Sequence, residues 1–386
     1  MDSTDRIRLL TAVPICDGHD SAITTINLEL VRQGFEVVYL GFHRPVSEIV
    51  RAALQEGVAG VGISSYNGGH VEFFSEVVTA LREAGAEHIG VFGGGGGTIT
   101  HDDAAEMERR GVDRIFFAGT PLSEMMDWLR QQYGTRPDPR RAPEPGTDLH
   151  ISRLLDAGAA PDSGARRVPV IGITGPGGAG KTTLIDELVL RFLRTRTGRV
   201  AILSHDPSIV GNGALLGDRA AMIHSQHDRV FMRSLATRGQ AGGLGPQTDE
   251  AMKVLQGQDF ELIIVETVGA GQEAIPFGDD VDVKLFVMSP EYGSRLQLQK
   301  IAMLDLADFV VVNKNDRAGA KTAKTEVEFR VGMRPEKRRV QHQQVMTTCA
   351  KRHRDPGVDA LFEELGRALQ RSQSREGAKA TQSQGS

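Results

Sequence analysis

The sequence predicts an α/β protein with two doubly wound parallel-sheet domains, and two observations support this fold class. Between Arg6 and Tyr133, apolar runs of strand length alternate five times with stretches of helical period. Such alternation is typical of buried parallel strands connected by helices. A second region of the same kind begins at Val168 with an apolar run, a glycine-rich loop and a helical stretch. The length of 386 residues is sufficient for two such domains.

The predicted elements of the first domain follow a regular strand-helix order. We expect strands at Ile7–Val13, Glu36–Leu40, Val58–Ser64, His88–Phe92 and Asp113–Phe117. We expect helices at Thr24–Gln33, Val46–Gln55, Val71–Ala84, Asp102–Arg110 and Leu122–Gln132. This order indicates a flavodoxin-like domain over residues 1–133, whose ligand should lie beyond the carboxyl ends of the strands.

Two loops at those carboxyl ends carry unusual residues. After the first strand, Asp17 stands two residues before His19. A carboxylate that accepts the Nδ1–H of an imidazole leaves Nε2 free to bind a metal, although a lone loop histidine is more often structural. After the fourth strand come five glycines, Gly93–Gly97. Glycines give up side-chain packing at an entropic cost, so this run predicts a bulky ligand against the backbone rather than internal packing.

These loops resemble the signature of the cobalamin-binding domain of adenosylcobalamin-dependent mutases. The family pattern D-x-H-x-x-G, then S-x-L, then a glycine pair, corresponds here to Asp17, His19, Ala22, Ser64, Tyr66 and Gly93-Gly94. The resemblance implies that His19 binds cobalt in place of the cofactor's own base, the base-off/His-on form, with Asp17 as its hydrogen-bond partner. It also implies that the displaced nucleotide tail of adenosylcobalamin lies beside the sheet, near Ser64, Tyr66 and the glycines Gly93 and Gly94.

Two positions depart from that pattern. Ala22 stands where glycine is usual, which costs about 1 kcal/mol if the backbone there requires a positive φ. Tyr66 replaces the leucine of the family. Neither residue takes part in cobalt ligation, so we expect cobalamin to bind, and a domain that has lost the cofactor is the alternative.

Residues 134–167 differ in composition from the domains on either side. Arginine, aspartate and glycine are mixed with Pro137, Pro139, Pro143, Pro145 and Pro161. This composition predicts a polar connector that allows some movement between the domains, interrupted by a short helix around Ile151–Leu155. The second domain then covers residues 168–370, and residues 371–386, rich in Ser, Gln and Gly, are expected to form a disordered tail.

A phosphate-binding motif opens the second domain. The apolar run Val168–Thr174 leads into Gly175-Pro176-Gly177-Gly178-Ala179-Gly180-Lys181-Thr182-Thr183, with the spacing G-x-x-x-x-G-K-T. In such a loop the backbone N–H groups and the following helix N-terminus bind phosphate. The lysine reaches the β- and γ-phosphates and the threonine hydroxyl holds Mg²⁺. We therefore assign these roles to Lys181 and Thr182; a chance glycine-rich turn would not have a strand and a helix at the required positions.

Two later strands end in carboxylates suited to the same metal. The run 199–204 is followed by Asp206, and the run 260–265 by Glu266. Acidic residues at strand ends facing a phosphate loop commonly hold Mg²⁺ or its waters. We therefore expect Asp206 and Glu266 to join Thr182 at Mg²⁺ and, with Lys181, to support hydrolysis. A capping or solvated carboxylate is the alternative for Glu266, and Arg219 is the candidate for an arginine finger.

The identity of the base is predicted from two further loops. The run 308–312 ends in Asn313-Lys314-Asn315-Asp316, which resembles the N-K-x-D signature of GTP-binding proteins. The carboxylate of Asp316 can accept from both N1–H and the 2-amino group of guanine, whereas N1 of adenine is itself an acceptor. A later run, 344–348, leads into Cys349-Ala350-Lys351, where GTP-binding proteins often have S-A-K. The sequence therefore predicts GTP rather than ATP.

The order of motifs resembles the GTPase chaperones of cobalamin-dependent mutases over nearly all of Val168–Leu369. The order of the two domains resembles the N-terminal half of the fused isobutyryl-CoA mutase family, in which a mutase barrel shares the chain. The resemblance implies a GTPase that gates loading or repair of adenosylcobalamin in an acyl-CoA mutase of isobutyryl-CoA or methylmalonyl-CoA type. Because there is no room for a barrel of roughly 250 residues, we expect it on a separate subunit in a homo- or hetero-oligomer. The first domain could alternatively be that mutase's small subunit.

Composition limits the other partners. No segment approaches the ~20 apolar residues of a membrane span, so we expect a cytoplasmic protein without membrane contact. A net charge of −5 argues against nucleic acid, and the basic stretch 330–354 is interpreted as solvated surface. Cys16 and Cys349 show no metal-ligand spacing and predict neither a disulfide framework nor a zinc site.

Two alternative functions stay open at the level of sequence. One is a cobalamin-binding sensor with a weak or vestigial GTPase, which nucleotide binding without hydrolysis would favour. The other is an ATP-dependent small-molecule kinase, which tighter binding of ATP than of GTP would favour.

Overall fold

Two sheets flanked by helices organise the protein. In this computed structural model the described residues are 6–15, 21–135, 142–159, 167–208, 213–240, 242–269, 277–278, 280–293, 302–332 and 343–383. Every ladder between the strands of these residues is parallel. The prediction of two doubly wound parallel-sheet domains is therefore confirmed.

The first domain has the predicted alternation of strands and helices. Its strands are β1 (Arg8–Ala12), β2 (Glu36–Tyr39), β3 (Gly60–Ser64), β4 (Gly90–Gly95) and β5 (Arg114–Phe117). Its helices are α1 (Ser21–Arg32), α2 (Val46–Glu56), α3 (His70–Glu83), α4 (His101–Arg109) and α5 (Leu122–Tyr133). The strand order β5-β4-β3-β1-β2 is that of a flavodoxin-like sheet, with a topological switch point between β1 and β3.

The connector and the second domain supply the other elements. The strands are β6 (Val170–Thr174), β7 (Val200–Asp206), β8 (Ala214–Leu216), β9 (Val230–Ala236), β10 (Leu262–Glu266), β11 (Val283–Met288), β12 (Phe309–Val312) and β13 (Gln344–Thr347). The helices are α6 (Asp148–Ala157), α7 (Lys181–Thr195), α8 (Asp218–Ala221), α9 (Thr248–Gln256), α10 (Ala320–Gly332) and α11 (Pro356–Ser383). The second sheet has the order β13-β12-β11-β6-β10-β7-β9. Strands β8, β9 and β11 have no counterpart in the sequence prediction.

Two segments outside the sheets differ in how well they were predicted. The short helix expected around Ile151–Leu155 is present as α6, which buries Leu149 and Ile151. Residues 371–383, expected to be disordered, instead continue α11 as far as Ser383. This correction has a physical reason, because Gln, Arg, Glu, Lys and Ala are good helix formers even where no apolar face is present. In the described part of the chain, no helix combines the length and the apolar character needed to cross a bilayer.

Strand β8 joins the two domains through one sheet. It lies within the second domain in sequence, but it pairs with β2 of the first, with Glu36, Val37 and Val38 opposite residues 214–216. The first sheet therefore has the full order β5-β4-β3-β1-β2-β8. The boundary at 134–167 stays a prediction, and the first sheet includes a strand that follows it in sequence.

Buried ion pairs reinforce this junction, and Glu36 at the start of β2 is the central acceptor. Its Oε2 lies 2.8 Å from Nη2 of Arg8, and its Oε1 accepts a hydrogen bond of 3.0 Å from Nη2 of Arg238 in the second domain. Burial opposes the charged carboxylate, but the two arginines outweigh it and the pKa of Glu36 lies below its ordinary value. Arg8 also donates to the carbonyl oxygen of Ser234 at 3.1 Å.

We predict that Glu36→Gln lowers the free energy of unfolding by about 3–5 kcal/mol at neutral pH, because it leaves the buried guanidinium of Arg8 and the half-buried one of Arg238 without their shared charge. Urea denaturation of the whole chain measures this. Since the pKa of Glu36 is lowered by folding, its contribution is present above the ordinary glutamate pKa and is lost as the pH falls through the lowered value. The difference between the two proteins should therefore shrink in acid.

The matched control is Glu29→Gln on helix α1. Glu29 accepts a hydrogen bond from Gln33 at 2.8 Å on the exposed side of the helix, so its loss should cost less than about 1 kcal/mol. An equally small effect at Glu36 would contradict its role at the junction.

Candidate functional site

The phosphate loop, residues 175–180, connects β6 to helix α7. Gly178 (φ 72°) and Gly180 (φ 86°) adopt the left-handed backbone conformation that glycine enters without strain. A Cβ on Gly175 would lie 1.9 Å from the carbonyl oxygen of Val287, so no larger residue fits there. Left-handed glycines directly before a helix N-terminus form a cradle of backbone N–H groups that suits phosphate.

Lys181 begins helix α7 and lies beneath this loop. Its Nζ donates to the carbonyl oxygens of Gly175 at 3.0 Å and Pro176 at 3.3 Å. Burial lowers the pKa of Lys181, although the nearby charges of Glu266 and Asp218 act in the opposite direction. The lysine therefore places a cation where the loop would hold phosphate. The neighbouring Thr183 is exposed.

The other polar groups of the site come from strand ends. Glu266 and Asp206 are the last residues of β10 and β7, which are neighbours in the second sheet. The hydroxyl of Thr182 donates to Oε1 of Glu266 at 3.1 Å. Ser204 lies 2.6 Å from Oδ2 of Asp218 and 3.3 Å from Oε2 of Glu266. The sequence prediction missed Ser204 and Asp218; the triplet Gly217-Asp218-Arg219 was the available signal for the latter.

The carboxylates of Asp206, Asp218 and Glu266 are buried close enough to repel one another. Burial, and then the charge of Asp218, raises the pKa of Glu266 to about 8. The same two causes raise the pKa of Asp206 well above its ordinary value. Among the described residues, Oδ2 of Asp206 is buried without a hydrogen-bond partner. Such a cluster is stabilised by a cation.

The arrangement fits Mg²⁺ better than a metal held by protein alone. Among the described His, Cys, Asp and Glu side chains, no group of three or more forms a preformed metal site. Mg²⁺ commonly uses one or two carboxylates and completes its shell with water and substrate phosphates. Thr182 and the three carboxylates could supply the few protein ligands that Mg²⁺ needs.

Asn313 connects the phosphate loop to the last loop of the second sheet. Its Nδ2 donates to the carbonyl oxygen of Ala179 at 3.0 Å, and its Oδ1 accepts from Thr348 Oγ1 at 3.0 Å and the backbone N–H of Ala350 at 3.1 Å. Lys314, with φ 59°, donates its Nζ to the carbonyl oxygen of Gly178. Both residues therefore support the loop that would hold phosphate.

Asp316 lies farther out and pairs with the Cys349-Ala350-Lys351 loop. Its carboxylate accepts a hydrogen bond from the Nζ of Lys351 and another from the Sγ of Cys349 at 3.1 Å. These two bonds lower the pKa of Asp316 to about 2, so it is ionised at neutral pH. An ionised acceptor oriented by two neighbours suits the paired donors on the edge of guanine.

A second candidate site lies in the first domain at the carboxyl ends of β3 and β4. Ser64, Tyr66, Gly93 and Gly94 all line one cavity of ≈ 470 Å³. The lining is largely apolar and includes Ile23 and Ile26 of α1, Phe92, Phe116, Leu122 and Met125. The structure thus brings together the four residues expected beside the nucleotide tail. Asp17 and His19 lie outside the described residues.

The glycine run at 93–97 requires a correction. Gly93, Gly94 and Gly95 belong to strand β4 rather than to a loop. A Cβ on each would lie 2.2 Å from the carbonyl oxygen of Ile63, 2.5 Å from that of Phe116 and 2.0 Å from that of Ser65, respectively. Packing of the sheet therefore does explain these glycines, contrary to the expectation from sequence.

The candidate arginine finger is also placed differently. Arg219 is 0% exposed, and its Nη1 donates to Oε1 of Glu56 in the first domain at 3.0 Å. Its Nη2 donates to Oε1 of Gln55. The guanidinium is therefore part of the domain junction in this structure, and Asp218 is the neighbour that faces the phosphate loop.

The phosphate loop, the carboxylate cluster and the loops around Asp316 and Cys349 are the features of a GTPase domain. The domain before it has a flavodoxin-like sheet with an apolar cavity. The family model for the methylmalonyl-CoA mutase-associated GTPase MeaB matches residues 145–385, and a model for the B12-binding domain matches residues 7–125. The chain belongs to the family of methylmalonyl-CoA mutase-associated GTPases. It combines a cobalamin-binding domain with a GTP-hydrolysing one.

Several curated relatives carry both domains. A fused isobutyryl-CoA mutase of Cupriavidus metallidurans is 41% identical over 391 residues, which cover 95% of this chain and 36% of the relative. Those of Geobacillus kaustophilus (39% identical over 389 residues) and Nocardia farcinica (41% over 390) cover 92% and 93% of this chain. In each case the chain spans 36% of the relative's length.

We predict that Gly93→Ala and Gly96→Ala differ in their effect on the protein without cobalamin. At Gly93 the new methyl meets backbone and the ring of buried Phe74, so unfolding should become easier by about 1–3 kcal/mol. At Gly96 it meets the ring of Tyr66, which is 43% exposed, rather than backbone, so the change should be about 0.5 kcal/mol. Urea denaturation compares the two, and equal effects would refute the packing explanation.

Proposed function

We propose that this chain is a GTP-driven chaperone that loads adenosylcobalamin into, or removes damaged cofactor from, a separate acyl-CoA mutase barrel. The mutase would be of the isobutyryl-CoA or methylmalonyl-CoA type. The observation that carries this proposal is the sheet shared between the cobalamin-binding domain and the GTPase domain through β8. Such a connection allows the nucleotide site to influence the domain that holds the cofactor. The fused mutase relatives, in which similar domains share a longer chain, support it.

In the GTPase domain, each polar group has an assigned task. Lys181 binds the β- and γ-phosphates, while Thr182, Asp206 and Glu266, with Asp218, hold Mg²⁺ and its waters. When bound, Mg²⁺ neutralises the charge that develops on the transferred phosphoryl group. Asp316 reads guanine with the support of Cys349 and Lys351. Burial of Arg219 leaves the site without an arginine from its own described residues, so hydrolysis should be slow until a partner completes it.

In the first domain, we assign cobalt ligation to His19 and orientation of its imidazole to Asp17, with cobalamin in the base-off/His-on form. The cavity lined by Ser64, Tyr66, Gly93 and Gly94 would take the displaced nucleotide tail. The lining of this cavity is largely apolar, as is typical of cofactor sites. The protein supplies ligation, orientation and gating, and the radical chemistry belongs to the cofactor.

The assembly follows from these assignments. We propose domain limits of 1–133 and 168–370, a cytoplasmic location, and an oligomer that includes the barrel subunit. The first domain either delivers the cofactor or serves as the small subunit of the mutase over whose active site it docks. In either role, the interaction with the barrel is what hydrolysis controls.

We predict that adenosylcobalamin bound to this protein has the absorbance spectrum of a histidine-ligated, base-off form, and that His19→Ala abolishes it. His43→Ala is the matched control, because His43 stands after the neighbouring strand β2 and bonds through Nδ1 to the carbonyl oxygen of Ile15 at 3.1 Å. If only the His43 variant lost the spectrum, the cobalt ligand would be misassigned.

We predict that transfer of adenosylcobalamin to a co-purified mutase barrel requires GTP and that Asp316→Asn changes the required nucleotide. The new amide can donate to the carbonyl that xanthine carries in place of the 2-amino group of guanine. The variant should therefore work with xanthosine triphosphate and not with GTP, as measured by recovery of mutase activity. Transfer that proceeds without nucleotide, or hydrolysis that the barrel never stimulates, would favour the sensor with a vestigial GTPase.

A further inference from the structure

Two consecutive residues after β8 face different domains. The carboxylate of Asp218 lies 2.6 Å from Ser204 Oγ, and Thr182 at the start of α7 is near enough to favour its charged form. The next side chain, Arg219, extends the opposite way into the cobalamin-binding domain. Both belong to the four-residue helix α8, so the position of one side chain constrains the other.

The acceptors of Arg219 are themselves fixed. Glu56 accepts hydrogen bonds of 2.9 Å from both the backbone N–H and the hydroxyl of Ser234. Gln55 accepts from the backbone N–H of Met232 at 3.2 Å and donates to the carbonyl oxygen of Val230 at 2.8 Å. A guanidinium that meets two immobilised acceptors has little freedom to move, since a buried charge that lost them would be strongly destabilised.

The segment before Arg219 is held by the same domain. Residues 214–216 form β8 and pair with β2, so the cobalamin-binding domain fixes residues 214–219 at both ends. Between these two attachments, the backbone N–H groups of Gly217 and Asp218 lie near the carboxylate of Asp206 and favour its charged form. Asp218 therefore belongs to a segment that the other domain holds in place, and two further polar groups of the nucleotide site, Ser204 and Asp206, lie against that segment.

We propose that Gln55 and Glu56 of the cobalamin-binding domain are positioning residues for the nucleotide site. They hold Arg219, and through it they fix the carboxylate of Asp218 at the place where Mg²⁺ and GTP bind. This inference rests on the proposed function in one respect, namely that the site takes Mg²⁺ with GTP. Its consequence is that the arrangement of the cobalamin-binding domain sets the affinity of the GTPase domain for its metal.

The test compares Arg219→Lys with Arg233→Lys in the full chain. Arg233 is a matched control, because it is also buried at the junction and donates to the backbone oxygen of Gln55 at 3.2 Å and to Ser152 at 3.1 Å. It lies on β9 and is not adjacent to a residue that faces the phosphate loop. Each variant removes a buried guanidinium that donates to several residues, and both should lower the unfolding temperature.

The measured quantity is the Mg²⁺ concentration that half-saturates the enhanced binding of a fluorescent GTP analogue. For Arg219→Lys this concentration should rise about tenfold or more, as for other residues that orient metal ligands. Binding of the analogue without Mg²⁺ should be unchanged. Arg233→Lys should stay close to the unmodified protein on both measures. Equal shifts in the two variants, or none in Arg219→Lys, would overturn the proposal.

A double variant separates positioning from a loss of structure. If Arg219 acts through Asp218, then Asp218→Asn combined with Arg219→Lys should bind Mg²⁺ no more weakly than Asp218→Asn alone. Additive losses would overturn the proposal. Should Arg219→Lys fail to fold, Gln55→Ala removes one acceptor of the same guanidinium and is expected to give the same shift. Failure of the unmodified chain to bind GTP in a Mg²⁺-dependent way would refute the proposed function as well.

Discussion

Buried guanidinium groups at the junction of the two domains are the constraint on which the remaining structure depends. Arg8 reaches from the first domain to the backbone of the second, while Arg219, Arg233 and Arg238 reach back to Gln55, Glu56 and Glu36. Burial of a charge is tolerated only with close partners, and each of these four arginines has at least one partner across the junction. Separation of the domains would therefore leave these guanidinium groups with fewer partners. The pairing of β8 with β2 also holds the domains together, because a strand of the second domain covers the edge of the first sheet.

Two sets of buried carboxylates among the described residues have opposite electrostatics. Glu36 is surrounded by arginines, which lower its pKa and make it a fixed structural anion. Glu266 and Asp206 are equally buried, but their nearest charges include other carboxylates, and their pKa values are raised. Buried carboxylates that repel one another and have raised pKa values are found mainly at functional sites. The contrast separates the groups that hold the domains together from those suited to a cation and a triphosphate.

Much of this organisation could be predicted from sequence, because the elements that carry it have strong periodic or local signals. Alternating apolar runs predicted the flavodoxin-like order, and fixed spacings predicted the phosphate loop and the two loops to which we assign recognition of guanine. The junction had no such signal. Strand β8 has only the residues Ala214–Leu216, too few to show a period, and Arg219 and Arg233 are indistinguishable in sequence from surface charges. Long-range partners of this kind become visible only when the chain is folded.

The glycines of β4 show that one local sequence pattern can have two physical explanations. Gly93 and Gly94 are required by the neighbouring strands, whose carbonyl oxygens leave no space for a Cβ. Their occurrence would thus be the same in a domain without a cofactor. What favours a ligand is the ≈ 470 Å³ largely apolar cavity beside them, which is also lined by residues of helices α1 and α5. Gly93 and Gly94 therefore have two effects. They allow β3 and β4 to approach closely, and they leave the cavity open beside the sheet.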